Sequence, residues 1–208
     1  MKKVNYLTFM KHAKKVAKKA SKFRTALQHI SHEEDGSVVV TDSHRLYRIN
    51  NGHNEEKSFV TTADGIRVSN PDFDYPQTDR LIQRFEDASH VFTVNTKEFF
   101  NTVKAIELAN KVSEKTRNNE LKMTVYKQGI SLETDNKNFC VRYENGSTHE
   151  GDKEFDMYLN TQYMKEALHV IDDSKVDTLQ VAIYNSHMRP IQLFAENFTA
   201  IILPIKKY

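Results

Sequence analysis

The chain has few of the residues that build disulfide-rich or phosphate-binding folds. Of its 208 residues one is cysteine, six are glycine, four are proline and none is tryptophan. The single cysteine, Cys140, excludes a disulfide within the chain, and the apolar alternation of residues 139–141 predicts a core or sheet position in a reducing compartment. The glycines are scattered singly, so a glycine-rich loop for nucleoside triphosphates is not present and ATP hydrolysis is not expected. No cofactor is expected either.

Long apolar runs are also missing. No stretch approaches the roughly 18 apolar residues that a membrane span needs, and the basic N-terminus lacks the apolar segment of a signal peptide. A hydrophobic content of 38% and a mean hydropathy of −0.65 are typical of a globular protein in water. We therefore expect a cytoplasmic protein with no membrane partner and with one large core or two small ones.

Acidic residues are absent from the first 24 positions, which carry nine of the 30 Lys and Arg. The other 21 basic side chains are outnumbered by 28 acidic ones, a balance of −7. Apolar residues here recur at helical spacing and predict a helix with Thr8 as its N-cap. They are Phe9, Ala13, Val16, Ala17 and Ala20. The opposite face carries Lys11, Lys14, Lys15, Lys18, Lys19 and Lys22. Charge concentrated on one face indicates a phosphate-bearing partner, and a solvated surface helix is the alternative.

The second half of the chain contains an internal repeat. A strand at 91–94 is followed by a helix that begins after Asn95 and runs to about Val112. Three strands then complete a first βαβββ unit, at 121–126, 130–134 and 139–143. The order recurs with a strand at 155–159, a helix at 161–171 capped by Asn160, and strands at 176–184, 191–195 and 198–205. The first helix of the repeat carries Lys97, Lys104 and Lys111 opposite its apolar face, which extends the basic surface.

The first half begins in the same way and then departs from the pattern. The predicted elements are a strand at 4–7, the basic helix, and strands at 24–30, 37–41 and 45–49. Segments 58–62 and 65–69 can be strands, but no helix-length periodic segment lies between them. This predicts a truncated domain at 1–85 and a complete one at 86–208. The fold class is α+β, with tandem βαβββ units, helices on one face and antiparallel sheets on the other.

Four segments in the right order carry a family resemblance. Residues 41–46, Thr-Asp-Ser-His-Arg-Leu, resemble the Thr-Asp-Gly-His-Arg-Leu signature of the middle domain of bacterial sliding clamps, the beta subunit of DNA polymerase III. Residues 75–81 resemble the segment that closes that domain. Residues 187–190 resemble the Met-Arg-Pro before the penultimate strand, and residues 201–208 resemble the C-terminal tail. The chain is thus similar to the second and third domains of a clamp, with Ser43 in place of the usual glycine and no counterpart of the first domain.

The resemblance implies a DNA-clamp fold and a non-enzymatic processivity factor in DNA replication. In this family a ring of subunits places helices against the backbone of duplex DNA, and polymerases and repair proteins dock a short peptide in a cleft between the second and third domains. The implied DNA contacts are Lys11, Lys14, Lys15, Lys18, Lys19, Lys22, Lys97, Lys104 and Lys111. The implied peptide contacts are Thr41, His44, Arg45, Leu46, Pro76, Arg80, Leu81, Leu203, Pro204, Ile205 and Lys206. We expect a homo-oligomer formed head to tail through sheet edges, because the truncated domain leaves edges uncovered.

Other readings of the residues are kept as alternatives. The acidic residues Asp72, Asp74 and Asp79, with a later Glu133, are compatible with a metal-dependent nuclease, which would also need a basic surface for DNA. A non-ring adaptor or decoy that binds clamp-interacting peptides is the third possibility. His29 and His32 as a metal site, and Cys140 with a histidine as a catalytic pair, have little support because no further ligand or activating group lies nearby. No metal site is therefore expected.

Overall fold

Three α-helices and twelve strands make up the computed structural model, which describes residues 2–112, 119–134, 139–144, 154–184 and 186–207. The helices are Tyr6–Lys19 (α1), Thr96–Val112 (α2) and Thr161–Asp173 (α3). The strands of the first half are His29–His32 (β1), Val38–Thr41 (β2), Arg45–Ile49 (β3) and Phe59–Thr62 (β4). Those of the second half are His90–Asn95 (β5), Glu120–Tyr126 (β6), Gly129–Thr134 (β7), Cys140–Tyr143 (β8), Phe155–Asn160 (β9), Thr178–Ile183 (β10), Ile191–Ala195 (β11) and Phe198–Ile202 (β12).

The strands form two antiparallel sheets. One has eight strands in the order β4-β1-β2-β3-β12-β11-β10-β5, and the other has four in the order β8-β7-β6-β9. The larger sheet crosses from the first half to the second where β3 pairs with β12, with Leu46 opposite Ile201. The helices pack on one side of the sheets, so the predicted α+β architecture is confirmed. The division at residues 85 and 86 stays a prediction, since both the sheet and the core continue across it.

The two βαβββ units of the second half exchange their first strands. β5 precedes α2 in sequence but pairs with β10 of the other unit, while β9 precedes α3 and pairs with β6. The first half repeats this arrangement, because β4 follows β3 and pairs back with β1 just as β9 pairs with β6. β4 is therefore the first strand of a second unit. Residues 63–89 then form no α-helix and no three-stranded ladder, which confirms the predicted truncation.

The truncation explains why the predicted strand at 4–7 is wrong. A strand before the first helix of a domain pairs, like β5, with the second unit of that domain, and the first half lacks those strands. Without a ladder partner the segment joins the helix instead. α1 starts at Tyr6, and the Asn5 side chain accepts a hydrogen bond from the Thr8 backbone N–H (2.8 Å). The N-cap is therefore Asn5 rather than Thr8.

Three further predictions need correction. The segment 24–30 is a strand only from His29, because Thr25–Gln28 form a turn of 3₁₀-helix. The segment 65–69 is not a regular strand, although a single bridge pairs Arg67 with Thr61 beside β4. Cys140 lies in a strand as predicted, but it is exposed at the start of the edge strand β8 rather than in the core.

A single hydrophobic core joins the helices to the inner face of both sheets. α1 buries Phe9, Ala13, Val16 and Ala17, as its periodicity predicts. On the outer face of the larger sheet, the segment between β4 and β5 replaces the missing unit as a cover. Ile82 packs there on the buried Leu46 and Ile201, and the Phe85 ring meets Phe194 edge-on at 5.4 Å. This covering segment also forms one wall of an apolar groove.

Candidate functional site

An apolar groove of about 670 Å³ lies on the outer side of the sheet, where the covering segment passes the start of β1 and the end of β2. One wall comes from the segment between α1 and β1 together with the loop after β2, and the other from residues 73–81. The lining residues are Arg24, Thr25, Ala26, Leu27, Thr41, Ser43, Phe73, Asp74, Pro76, Thr78 and Leu81. Three of the predicted peptide contacts, Thr41, Pro76 and Leu81, are among them. Leu81 is 51% exposed, so its apolar side chain is available to a partner.

Leu46 is not in the lining of this groove. It is only 2% exposed and packs with Val39 and Ile201 beneath Ile82. Its place on the outer face of β3, opposite Ile201, follows from the antiparallel register. Leu46 therefore belongs to the packing beneath the covering segment. Arg80 is exposed and lines a neighbouring cavity of about 860 Å³ beside β4.

Arg45 is buried, and its Nε and Nη1 are held by other groups of the chain. Its Nε donates to the Asp42 carboxylate (3.1 Å) and its Nη1 to Glu166 of α3 (2.6 Å). The guanidinium also lies 4.5 Å from the centre of the Tyr163 ring. Burial alone would raise the pKa of the Glu166 carboxyl, but hydrogen bonds from Lys19 and Arg45 and the Arg45 charge lower it to about 2. Arg45 thus ties the first half to α3 rather than facing a peptide.

The C-terminal tail runs beside the loop that carries His44. The Leu203 N–H donates to the His44 carbonyl (3.0 Å), and the Ile205 N–H donates to the Tyr158 carbonyl (2.7 Å). Pro204 forms a bridge with Leu159, and Leu203 is 40% exposed. Lys206 is exposed at the end of this tail.

Tyr163 is a residue of the site that sequence reasoning missed. Its ring stacks on His44 with 6.0 Å between ring centres, and the Arg45 guanidinium lies over the same ring at 4.5 Å. It lies about 120 positions from both residues in the chain, on a helix from the other half, so no local pattern could have found it.

The lysines of the helices differ in how far their charge is already used. Lys11 and Lys19 pair with Asp173 (2.8 Å) and Glu166 (2.6 Å) of α3, while Lys14 and Lys18 both approach Asp64 (2.5 and 3.4 Å). On α2, Lys111 pairs with Glu107 and Lys104 lies over the Phe100 ring. Within the described ranges, Lys15 of α1, Lys97 of α2 and Lys22 are exposed and form no ion pair. Lys22 was predicted on the first helix, but it lies in the turn after α1, which ends at Lys19. The free charge on the helices is therefore smaller than the count of lysines implies.

The candidate acidic residues do not converge. Asp79 binds Arg48, and Glu133 binds Lys122 (2.8 Å) on the smaller sheet. Within the part of the chain that the structure describes, no group of three His, Cys, Asp or Glu side chains is arranged to hold a metal ion. His29 packs on the Phe73 ring, and the buried His32 lies between Tyr6 and Phe59. None of the helices described here has the length and apolar character needed to cross a membrane.

These features define a class of protein in which helices with exposed lysines form one face and antiparallel sheets form the other, with an apolar groove on the outer side of the larger sheet, lined by residues of the first half. The family model for the C-terminal domain of the DNA polymerase III beta subunit matches residues 86–206. The chain belongs to this family, the bacterial sliding clamps, as the sequence motifs predict.

Solved clamps share its fold over nearly the whole chain. The Bacillus subtilis DNA polymerase sliding clamp is 19% identical, with a TM-score of 0.71 over 99% of this chain and 64% of its own. A Helicobacter pylori beta clamp bound to a DNA ligase peptide is 18% identical, with a TM-score of 0.72 over 98% and 65%. The beta subunit from Borrelia burgdorferi, in complex with a natural product, is 15% identical, with a TM-score of 0.74 over 99% and 64%. The chain thus spans about 64% of the length of these clamps. No curated protein matches it in sequence.

Proposed function

We propose that the chain is a non-enzymatic, clamp-like processivity factor that tethers a DNA polymerase or repair protein to duplex DNA. The observation that carries this proposal is the groove. It is apolar, it is open, and it is bounded by the signature segment and the domain-closing segment that the family resemblance assigns to peptide docking. Support also comes from the H. pylori clamp, whose structure shares this fold and holds a DNA ligase peptide.

The basic helices support the DNA-binding half of the proposal. α1 and α2 both pack against α3, so their lysines occupy one layer of the molecule. Ammonium groups on long flexible side chains contact phosphates without reading the base sequence. A protein that must move along DNA needs contacts of this kind. The free lysines Lys15, Lys22 and Lys97 are the leading candidates among the nine.

The predicted peptide residues are proposed to play three different parts: direct contact, surrounding the groove, and support from beneath. Thr41, Pro76, Leu81 and the exposed Leu203 would meet the peptide, with His44, Arg80, Pro204, Ile205 and Lys206 around them. Leu46 and Arg45 would act from beneath, because both are 2% exposed. A nuclease is not favoured, because the candidate carboxylates do not converge on one point among the described residues, and two of them, Asp79 and Glu133, are paired with Arg48 and Lys122. An adaptor or decoy would share the groove but would not stay on DNA.

Peptide binding to two matched variants tests this function. A fluorescent DNA ligase peptide of the kind bound by the H. pylori clamp is titrated with the wild-type chain, with Leu81→Glu and with Ile66→Glu. Leu81→Glu places a charge in the groove and should weaken binding more than tenfold, since an apolar anchor is lost. Ile66 is similarly exposed, at 68%, but lies outside the groove, so Ile66→Glu should bind as wild type. Equal affinities for all three proteins would contradict the assignment of the groove.

DNA retention separates a processivity factor from an adaptor or decoy. Wild-type protein is incubated with duplex DNA of two unrelated sequences over a range of salt concentrations. Equal affinity for both sequences, with a steep loss of binding as salt rises, is expected. Peptide binding without any DNA binding would contradict the processivity factor and favour an adaptor or decoy.

A further inference from the structure

A tight turn after β4 brings a carboxylate onto the basic helix α1. In this turn the Gly65 N–H donates to the Thr62 carbonyl (2.9 Å), and the Thr62 N–H donates to the Ile66 carbonyl (2.8 Å). Gly65 has a φ of +84°, the left-handed conformation that closes loops of this kind and that glycine adopts without strain. Ala63 packs against the hydrophobic core. The backbone therefore fixes the position of Asp64 at the tip of the turn.

The Asp64 carboxylate pairs with two lysines of α1 at once. Its Oδ1 lies 2.5 Å from Lys14 Nζ and 3.4 Å from Lys18 Nζ. The two lysines are four positions apart, so they are neighbours on the helix surface, and all three side chains are about half exposed. The hydrogen bond from Lys14 and the charges of both lysines lower the pKa of the Asp64 carboxyl, so it is ionised at neutral pH. Two ammonium groups thus share one carboxylate on the surface that the proposed function assigns to DNA.

Asp64 differs from the α3 carboxylates that pair with α1, because those carboxylates also bind buried groups. Asp173 lies 2.9 Å from Nε2 of the buried His12. Glu166 accepts a hydrogen bond from the buried Arg45. Among the described residues, Asp64 forms ion pairs with the two lysines only. An exposed ion pair contributes little to stability and is screened by salt, so a phosphate can replace this carboxylate without disturbing the fold.

We propose that Asp64 competes with duplex DNA for Lys14 and Lys18 and thereby limits how tightly the protein holds DNA. The proposal rests on the proposed function, since it assigns a regulation to the same DNA-binding surface. A carboxylate and a phosphate accept hydrogen bonds from the same ammonium groups. DNA must therefore displace Asp64 before it can neutralise these lysines, and the Asp64 charge repels each phosphate that approaches. A weaker hold favours movement along the duplex over binding at one place.

Duplex DNA binding by two matched charge variants tests this competition. Asp64→Asn keeps the size of the side chain and frees both ammonium groups, so it should bind DNA about fivefold more tightly at low salt. The log–log salt slope should steepen by about 0.9 for each lysine that then meets a phosphate. Glu56→Gln removes the same charge from an exposed residue with no ion pair in the described part of the chain, and it should bind as wild type. Equal affinities of Asp64→Asn and wild type at every salt concentration would overturn the competition.

A second background separates competition from general repulsion. In a chain with Lys14→Gln and Lys18→Gln, Asp64 has no lysine left to occupy, so adding Asp64→Asn should change the affinity by less than about twofold. A gain as large as in the wild-type background would show that Asp64 acts through its charge alone and would overturn the proposal. Thermal unfolding should give similar midpoints for wild type and Asp64→Asn, and a lower midpoint without a gain in DNA affinity would make the role of Asp64 structural. Failure of wild-type protein and every variant to bind DNA at low salt would instead overturn the DNA-binding half of the proposed function.

Discussion

At the scale of single residues, Glu166 of α3 links the two halves of the chain through its carboxylate. Its carboxylate accepts hydrogen bonds from Arg45, Lys19 and Gln162 at 2.6, 2.6 and 2.8 Å. The first two donors come from the first half of the chain, and Glu166 comes from α3. Neutralising one partner of a buried charge pair leaves the other charge without compensation. These ion pairs therefore stabilise the packing of the first half against α3.

We predict that Glu166→Gln lowers the free energy of unfolding by about 3 kcal/mol at pH 7. The pKa of Glu166 is lowered to about 2 in the folded chain, below its ordinary value near 4.5. Its contribution is thus complete above pH 4.5 and is lost as the pH falls towards 2. Urea unfolding at pH 7 and pH 3 measures this. Glu56→Gln, an exposed residue with no ion pair in the described part of the chain, is the control and should change little. Equal stability of Glu166→Gln and wild type would show that the Glu166 ion pairs do not stabilise the packing of the two halves.

His32 is a second residue whose protonation is coupled to folding. It is fully buried, its Nε2 lies 3.0 Å from the Tyr6 hydroxyl, and its ring stacks on Phe59 with 4.3 Å between centres. Burial disfavours the imidazolium, and the nearby His53 and Arg67 add positive charge, so the pKa of His32 is lowered to about 4. Between pH 6.5 and 4, His32 is therefore protonated in the unfolded chain but neutral in the folded chain.

We predict that the difference in His32 protonation lowers the free energy of unfolding by about 3 kcal/mol as the pH falls from 6.5 to 4. In His32→Phe the ring packing is kept and the proton-binding group is gone. The stability of this variant should fall less over the same pH range, by about that amount. His187→Gln, at an exposed position, should follow the wild-type curve. Parallel curves for His32→Phe and wild type, measured by urea unfolding at several pH values, would show that His32 is not the coupled group.

At the scale of elements, periodicity predicts what is local and fails where a partner is missing. The apolar stripe of α1 and the alternation in β6 lead to the right elements because each pattern is set by one buried face. The strand predicted at 4–7 has the right composition, but the strands that would pair with it do not exist in the truncated half. The groove was predictable only through its motifs. Tyr163 and Glu166 could not be predicted, because tertiary packing rather than sequence spacing brings them to the signature loop.

The lysines of α1 and of the turn that follows it fall into a free and a paired group. Lys15 and Lys22 make no ion pair among the described residues, whereas Lys11 and Lys19 are held by carboxylates of α3. We predict that Lys15→Ala with Lys22→Ala weakens DNA binding equally for unrelated sequences. The salt dependence should fall by about 0.9 in log–log slope per lysine that contacts phosphate.

The matched control removes the same number of charges from the paired lysines. Lys11→Ala with Lys19→Ala should change the salt slope less, because those ammonium groups are already partly neutralised, and should lower the thermal stability through the loss of contacts to α3. DNA binding is measured over a salt series with two duplex sequences for both double variants. Identical curves for the free-lysine variant and wild type would mean that this face is only a solvated surface. Losses that differ between the two sequences would indicate base recognition instead.

At the scale of the whole molecule, the open edges of the sheets bear on the proposed contact with a second chain. β3 and β8 occupy equivalent places, since each is the last strand of a helix-led meander. The outer edge of β3 is paired with β12. The outer edge of β8 has no partner strand in the part of the chain that the structure describes. An open edge with unpaired N–H and C=O groups favours pairing with another chain, and β8 is thus the place we assign to the proposed head-to-tail contact.

We predict a homo-oligomer whose formation depends on the edge of β8. Cys140, the exposed first residue of this strand, provides a matched pair of variants. Proline is tolerated at the first residue of a strand but donates no hydrogen bond, so Cys140→Pro should shift the protein towards monomer at a given concentration. Cys140→Ser keeps the backbone donor and should assemble as wild type. Light scattering and sedimentation over a range of concentrations, with and without duplex DNA, measure the mass. A strictly monomeric wild-type protein at high concentration in both conditions would refute the oligomer and favour the adaptor or decoy, while an unchanged oligomer in Cys140→Pro would move the contact to another edge.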